Sequence, residues 1–420
     1  MSVRPVDHVS AAEPTSDAVG RVFRRESGAI VASLIHSLGD FDLAEDAVQD
    51  AFVTALAAWP ARGLPADPGA WIRTVARNRA IDRLRRDRVL ASKVRLMDTD
   101  EVVMPGRLRD TGGIEDDRLR LMFTCCHPAL SPQAQVALTL RLLGGLQPSE
   151  IAAALLVPEA TLAKRLVRAK QKIRAARIPY AVPARSDLPL RLPSVLETLY
   201  LVFREGYAAT HTDAVVRREL CDEAIRLARM THVLLPDELE PAGLLALMLL
   251  QDSRRDARQA PDGTLVLLEE QDRTRWHHSE IAEGVAILND AIARGANGPY
   301  TLEAAIAREH AVADRASATN WPQILALYDR LLALAASPVV ELNRAVALAM
   351  VEGPAAGLAA MERIAGLDRF HLYHAARADL LRRLGRRELA IEAYRAALGL
   401  ASQPAERRFL SARLEMLSAG

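Results

Sequence analysis

Half of the 420 residues are hydrophobic and only 4% are aromatic, a composition that favours helices and leaves few of the Val-, Ile- and Tyr-rich alternating runs that mark sheets. The length points to two or three domains rather than one core. A net charge of +1 hides an asymmetry: residues 1–180 hold 26 Lys and Arg against 21 Asp and Glu, whereas residues 181–420 hold 28 against 32. The first part therefore suits a polyanion and the second a protein surface or solvent. Cys125, Cys126 and Cys221 make no disulfide framework, as expected in a reducing cytoplasm. Adjacent thiols meet one tetrahedral ion poorly, so Cys125-Cys126-His127 reads as a buried helix end and not as a metal site. The N-terminus has no charged-then-apolar leader, and the longest apolar run, residues 242–250, is too short to span a bilayer. The expectation is a cytoplasmic protein with no membrane contact, no cofactor and no metal.

In chain order, residues 1–18 are polar and are expected to lie outside the folded part. Residues 19–88 show helical periodicity, interrupted at Gly39-Asp40 and between Trp59 and Gly69. Within the helix predicted over 42–59, Asp42, Asp46 and Asp50 recur at i, i+4 and i+8 with Glu45 and Gln49 beside them. Like charges at that spacing cost a helix about 0.2–0.5 kcal/mol each. Such a stripe is either solvated or offered to a basic partner. The helix over 68–88, PGAWIRTVARNRAIDRLRRDR, is strongly cationic; Arg77, Arg85 and Arg86 suit phosphates, and Asn78 and Asp82 suit base edges. Trp71 reads as core, with stacking on an unpaired base as the rival.

Residues 89–114 lose periodicity and read as a linker. Residues 115–177 form another helical block. Its last part, LQPSEIAAALLVPEATLAKRLVRAKQKIR (146–174), predicts a helix, a tight turn and a second helix. On that second helix Leu162, Leu166, Ala169 and Ile173 form an apolar stripe, and Thr161, Lys164, Arg165, Arg168 and Lys172 form a separate basic one without a single acid. A helix attached by one face and cationic on another suits the DNA major groove; a solvated amphipathic helix is the plainer alternative. Residues 178–193 carry four prolines and read as a second linker, and residues 194–420 look helical to the end. At 371–404 the small residues Ala378, Ala390 and Ala397, with Gly385, Tyr394 and Pro404, fall at the positions of a 34-residue tetratricopeptide-like unit. Pro322 to Ile364 repeats the pattern weakly, and stacked hairpins of this kind predict an α-solenoid. Arg204, Glu205, Tyr207 and His211, in the FREGY stretch, lack a nucleophile, metal set or phosphate loop. They read as a turn that docks the C-terminal part. His277 and His278 beside Glu280 lack ligand spacing. No catalytic residue is expected, so the protein is not read as an enzyme.

An acidic helix, a basic helix, a linker and a helix-turn-helix follow one another in that order. The order resembles the extracytoplasmic-function (ECF) class of the sigma-70 family of RNA polymerase sigma factors. DLAEDAVQDAFVTAL resembles the polymerase-binding helix of region 2, and AWIRTVARNRAIDRLRR its promoter −10 reading helix. LSPQAQVALTLRLLGGLQPSEIAAALLVPEATLAKRLVRAKQKIR resembles region 4, whose last helix reads the −35 element. YLVFREGYAAT and the tetratricopeptide-like end resemble a subgroup with a fused helical extension. The resemblance implies an all-α chain: a region 2 bundle (19–88), a helix-turn-helix region 4 (115–177) and a regulatory extension (194–420). It also implies core RNA polymerase as partner through its β′ clamp and β flap, with Asp42, Asp46, Gln49 and Asp50 on the clamp. Promoter DNA would meet Arg77, Asn78, Asp82, Arg85 and Arg86 at −10, and Thr161, Lys164, Arg165, Arg168 and Lys172 at −35. A protein or peptide partner of the extension is a further expectation. A one-component helix-turn-helix regulator with a solenoid sensor, acting without polymerase, stays open as the alternative.

Overall fold

The computed structural model describes residues 15–94, 114–155, 157–207 and 218–419. Among these the chain is all-α, and the one β feature is an isolated bridge between Gln259 and Leu265. The chain divides into two compact units, residues 1–153 with 157–195, and residues 154–156 with 196–420.

The first unit is built on α1 (Thr15–Leu38), α2 (Phe41–Arg62), α3 (Pro68–Val94), α4 (Ile114–Cys125), α5 (Pro132–Leu138), α6 (Pro148–Leu155) and α7 (Glu159–Ala175). Local chemistry sets the breaks. Gly39 turns left-handed at φ 69° and donates to the Ile35 carbonyl at 2.8 Å, which ends α1. Asp40 then opens α2, its Oδ1 accepting from the amides of Asp42 and Leu43 at 2.9 and 3.1 Å, a cap worth about 1 kcal/mol. Pro68 begins α3, where its missing N–H costs nothing. Ser131 caps α5, and a five-residue π segment, Thr139–Leu143, continues it. Ile30, Ile35, Phe52, Ile72 and Ala76 bury the contact among α1, α2 and α3; Phe123, Leu138, Leu140, Ile151 and Leu162 bury that of the later helices.

These two helical groups join within the unit. A Cβ added at Gly28 of α1 would lie 2.3 Å from the Leu143 carbonyl oxygen, so only a glycine admits the π segment there. The Tyr180 hydroxyl bridges the Ala32 and Asp117 carbonyls at 2.7 and 3.1 Å.

The second unit begins within α8 (Leu188–Tyr207) and continues through α9 (Arg218–Leu234), α10 (Glu240–Asp252), α11 (His278–Ala293), α12 (Pro299–Ala311), α13 (Trp321–Leu334), α14 (Pro338–Glu352), α15 (Pro354–Met361), α16 (His371–Arg383), α17 (Arg387–Leu400) and α18 (Pro404–Ala419). Its apolar residues form a core around Leu250, Leu288, Leu302 and Ile324 and another around Met361, Ala378, Leu381 and Tyr394. Nearly every residue of α10 is buried, which explains its unpatterned apolar run. α16 and α17 form a helical hairpin: Ala378, Ala390, Tyr394 and Ala397 are buried, and Gly385 turns at φ 71°.

Three expected boundaries shift. α1 starts at Thr15, inside the stretch expected to lie outside the fold; residues 1–14 lie outside the described residues. α3 continues to Val94, past the start of the linker expected at 89–114, and 95–113 lie outside the described residues. The connector expected at 178–193 is packed: Ile178 is buried, Tyr180 is anchored, and α8 runs through Pro193. Pro193 is the sixth residue of α8, so the amide it lacks removes one backbone bond, to the Pro189 carbonyl.

Candidate nucleic-acid interface

α7 has three faces. Leu162, Leu166, Ala169 and Ile173 are buried, and at 3.6 residues per turn they cover an arc of about 60°. Thr161, Lys164, Arg168 and Lys172 are exposed and Arg165 half-exposed; these five fall within about 100° of arc, clear of the buried strip. Lys170 and Arg174 occupy a third strip that the sequence reading left unassigned. The turn before α7 is closed by Thr161 N donating to the Pro158 carbonyl at 2.8 Å. Gly145, at φ 69°, makes the turn into α6.

The third strip binds α2. Arg174 Nη2 meets Asp42 Oδ2 at 2.6 Å and Asp40 Oδ1 at 3.6 Å, and Lys170 Nζ meets Asp42 Oδ1 at 2.9 Å. Lys170 also pairs with Glu45, whose other oxygen accepts from Arg141 Nε at 2.8 Å. Glu45 is 9% exposed, so it belongs to a buried charge cluster and not to a solvated stripe. Burial disfavours the ionised Asp42, but hydrogen bonds from Lys170 and Arg174 outweigh it and hold the carboxyl below its usual range. Burial likewise opposes the Lys170 charge, and Glu45 and Asp42 overcome it and raise its pKa.

The remaining acids of α2 have other surroundings. Asp46 pairs with Arg83 of α3 at 2.7 Å, while Gln49 and Asp50 are exposed. Val53 and Leu56 follow on the same face as Asp42, Asp46 and Gln49, 64% and 47% exposed. The sequence reading missed them because it followed the charges. The available signal was two apolar residues on the polar side of an amphipathic helix.

On α3, Ile72, Ala76 and Ala80 are buried, and Arg77, Asn78, Asp82, Arg85 and Arg86 are all exposed. Asn78, Asp82, Arg85 and Arg86 share an arc of about 100° turned away from that core, and Arg77 lies about 80° beyond it. Trp71 sits half-buried, edge-on to Trp59 with centroids 5.5 Å apart, which fits the core reading.

The other constellations are engaged elsewhere. Cys125 and Cys126 are buried, burial pushes the Cys125 thiol well up, and Cys126 lies 3.6 Å from the Thr139 hydroxyl. No group of three or more His, Cys, Asp or Glu residues among those described is placed to hold a metal. His277 pairs with Asp256 at 2.7 Å. FREGY is helical as far as Tyr207 and not a turn, while Thr210 and His211 lie outside the described residues. Gly206 lets α9 approach, since a Cβ there would stand 2.8 Å from the Cys221 amide. No helix among the described residues is long and apolar enough to cross a membrane.

Residues 22–89 match the family model of sigma-70 region 2, and residues 120–173 that of sigma-70 region 4. Residues 191–292 match a family of unknown function, DUF6596. The chain is also similar to an uncharacterized protein of Rhizobium meliloti (strain 1021), 43% identical over 395 residues that cover 93% of each chain. No solved structure matches.

Proposed function

We propose that the chain is a sigma-70-type transcription initiation factor of the extracytoplasmic-function class whose C-terminal helices regulate it. In this reading core RNA polymerase takes α2 through Asp42, Asp46, Gln49 and Asp50, with Val53 and Leu56 as the apolar centre of the contact. α7 enters the major groove at −35 with Thr161, Lys164, Arg165, Arg168 and Lys172. α3 takes an unstacked base of the −10 strand beside Asn78 and Asp82, with Arg77, Arg85 and Arg86 on phosphates. Unstacking costs a few kcal/mol, which a single-strand pocket offsets.

One observation carries this reading: each helix buries an apolar strip of its own and keeps a separate polar strip in solvent. The reading involves no bond chemistry; sequence is read by hydrogen bonds to base edges, and position is set by arginine and lysine on phosphates. The tetratricopeptide-like hairpin at 371–404 serves in it as part of a surface for a protein or peptide partner.

Run-off transcription with purified core polymerase tests the reading. The intact chain should initiate RNA from a subset of promoters in a genomic template pool. The double variant Lys164→Glu, Arg168→Glu should lose that activity by about tenfold or more, as expected for reversing two phosphate or base contacts, yet still co-purify with core enzyme. Absence of any polymerase-dependent transcript from the intact chain would sink it.

A further inference from the structure

Part of the charge of α7 is satisfied within the protein. Lys170 pairs with Asp42 at 2.9 Å and with Glu45, and Arg174 pairs with Asp42 at 2.6 Å and Asp40 at 3.6 Å. Among the described residues Lys164, Arg165, Arg168 and Lys172 of the same helix meet no carboxylate. The acids that hold Lys170 and Arg174 belong to α2 or its cap, and Asp46 of α2 also holds Arg83 of α3 at 2.7 Å.

These pairs keep α3 and α7 close together. Asp42 and Asp46 stand one turn apart, so Lys170 and Arg83 lie within roughly 30 Å of each other on helices of ordinary dimensions. Elements at −35 and −10 are about 25 base pairs apart, or ~85 Å at 3.4 Å per base pair. α7 and α3 cannot occupy both while Lys170 and Arg174 remain on Asp42. On a promoter the α2–α7 contact must therefore open. Opening also parts α1 from the π segment that it meets at Gly28, so core enzyme has to drive it. Two cations are then left without their carboxylates.

Their position on α7 indicates the anion that replaces them. At 100° per residue Arg174 lies about 80° from Lys164, and Lys170 about 40° further round. Gln171 and Val167, in between, are exposed. The opposite flank of the basic strip is closed by Ala169 and Leu162, both buried. A helix about 10–12 Å across fills a major groove about 12 Å wide. When its strip faces the base edges, its flanks face the phosphate walls, and only the flank with Arg174 and Lys170 is open. Phosphate oxygens take the charge-assisted bonds that the carboxylates of Asp42 take in the closed unit.

We propose that Lys170 and Arg174 exchange partners on the promoter, leaving Asp42 and Glu45 for phosphates that border the −35 element. The inference rests on the promoter reading above and adds two contacts to it. Phosphate contacts carry no sequence information, so this pair sets affinity and not the choice of promoter.

The test is fluorescence anisotropy of holoenzyme, assembled with the full-length chain, on promoter fragments recovered from run-off transcription, over a range of KCl. The double variant Lys170→Gln, Arg174→Gln should flatten the slope of log affinity against log salt by about 1.8, at ~0.9 per lost phosphate contact. Binding at about 0.1 M salt should weaken about tenfold or more, and alike on every fragment. If Lys170→Gln fails to fold by circular dichroism, Arg174→Gln alone carries the test, with a change of about 0.9. Arg395→Gln, an exposed arginine of α17, is the charge control and should keep the parental slope. Lys164→Glu, Arg168→Glu reports on the −35 reading separately. If that variant is inactive while the Lys170, Arg174 variant keeps the parental slope or binds DNA more tightly, the assignment is overturned and the −35 reading stands. The assignment falls equally if Arg395→Gln flattens the slope as much. A parent holoenzyme that binds no promoter fragment sinks the reading and the assignment together.

Discussion

Glu45 stands in an acidic stripe when read along the chain, yet in space it is an acid enclosed by Arg141 and Lys170. Removing one partner of such a cluster leaves an uncompensated buried charge, which costs about 3–5 kcal/mol. Glu45→Ala should therefore lower the unfolding free energy of the full chain by an amount near that range, read by urea titration, and Glu45→Gln by less. Gly28→Ala should also destabilise, by about 1–3 kcal/mol, because the new methyl meets backbone that has nowhere to go. His310 gives a pH signature. Its folded pKa of about 4 lies below the usual 6.5, so between those values the unfolded chain binds the extra proton. Stability falls as pH drops from about 6.5 to 4, by a few kcal/mol at most. Melting curves of His310→Gln should lose most of that acid sensitivity; an unchanged slope would contradict the burial of the imidazole.

At the scale of elements, α7 divides its labour among three strips. Among the described residues Lys164 and Arg168 are exposed and enter no ion pair of the unit, so their reversal should leave the melting temperature within a degree or two, as surface changes do. Lys170→Ala should lower it, because it strips Asp42 and Glu45 of a shared partner. The pH window of this contact follows from its two shifted groups. The contribution of Asp42, with its pKa lowered, is present above the usual carboxylate range and is lost as pH falls through the depressed value. That of Lys170, with its pKa raised, is present below 10.5 and is lost as pH rises beyond it. Between about pH 5 and 9 the contact should be level, while added salt weakens its exposed arm, Asp42 with Arg174.

For the whole molecule, the chain combines a unit that carries both sigma-70 regions with a larger helical unit. If polymerase takes the Asp42 face of α2, it competes with Lys170 and Arg174 for the same carboxylate. Lys170→Ala should then bind core enzyme more tightly, by a fewfold to about tenfold, even as it melts earlier, since opening the contact is no longer part of the binding cost. Fluorescence anisotropy with labelled core enzyme measures this; weaker binding would place Lys170 on the polymerase side instead. The charge asymmetry between residues 1–180 and 181–420 also has a counterpart in the structure. The basic faces of α3 and α7 lie in the first unit.

Periodicity and turn chemistry alone determined the helical class, the breaks at Gly39 and around Trp59 to Gly69, and the apolar and basic strips of α7. Those are set by neighbours three and four residues apart, which the chain displays directly. Only the tertiary structure decided the fate of the acids on α2, because their bases sit roughly 40 to 130 residues away: Arg83, Arg141, Lys170 and Arg174. It also decided that the proline-rich stretch is packed. Long-range charge pairing leaves no period in a sequence, since an ion pair needs only that two side chains meet, whatever the length of chain between them.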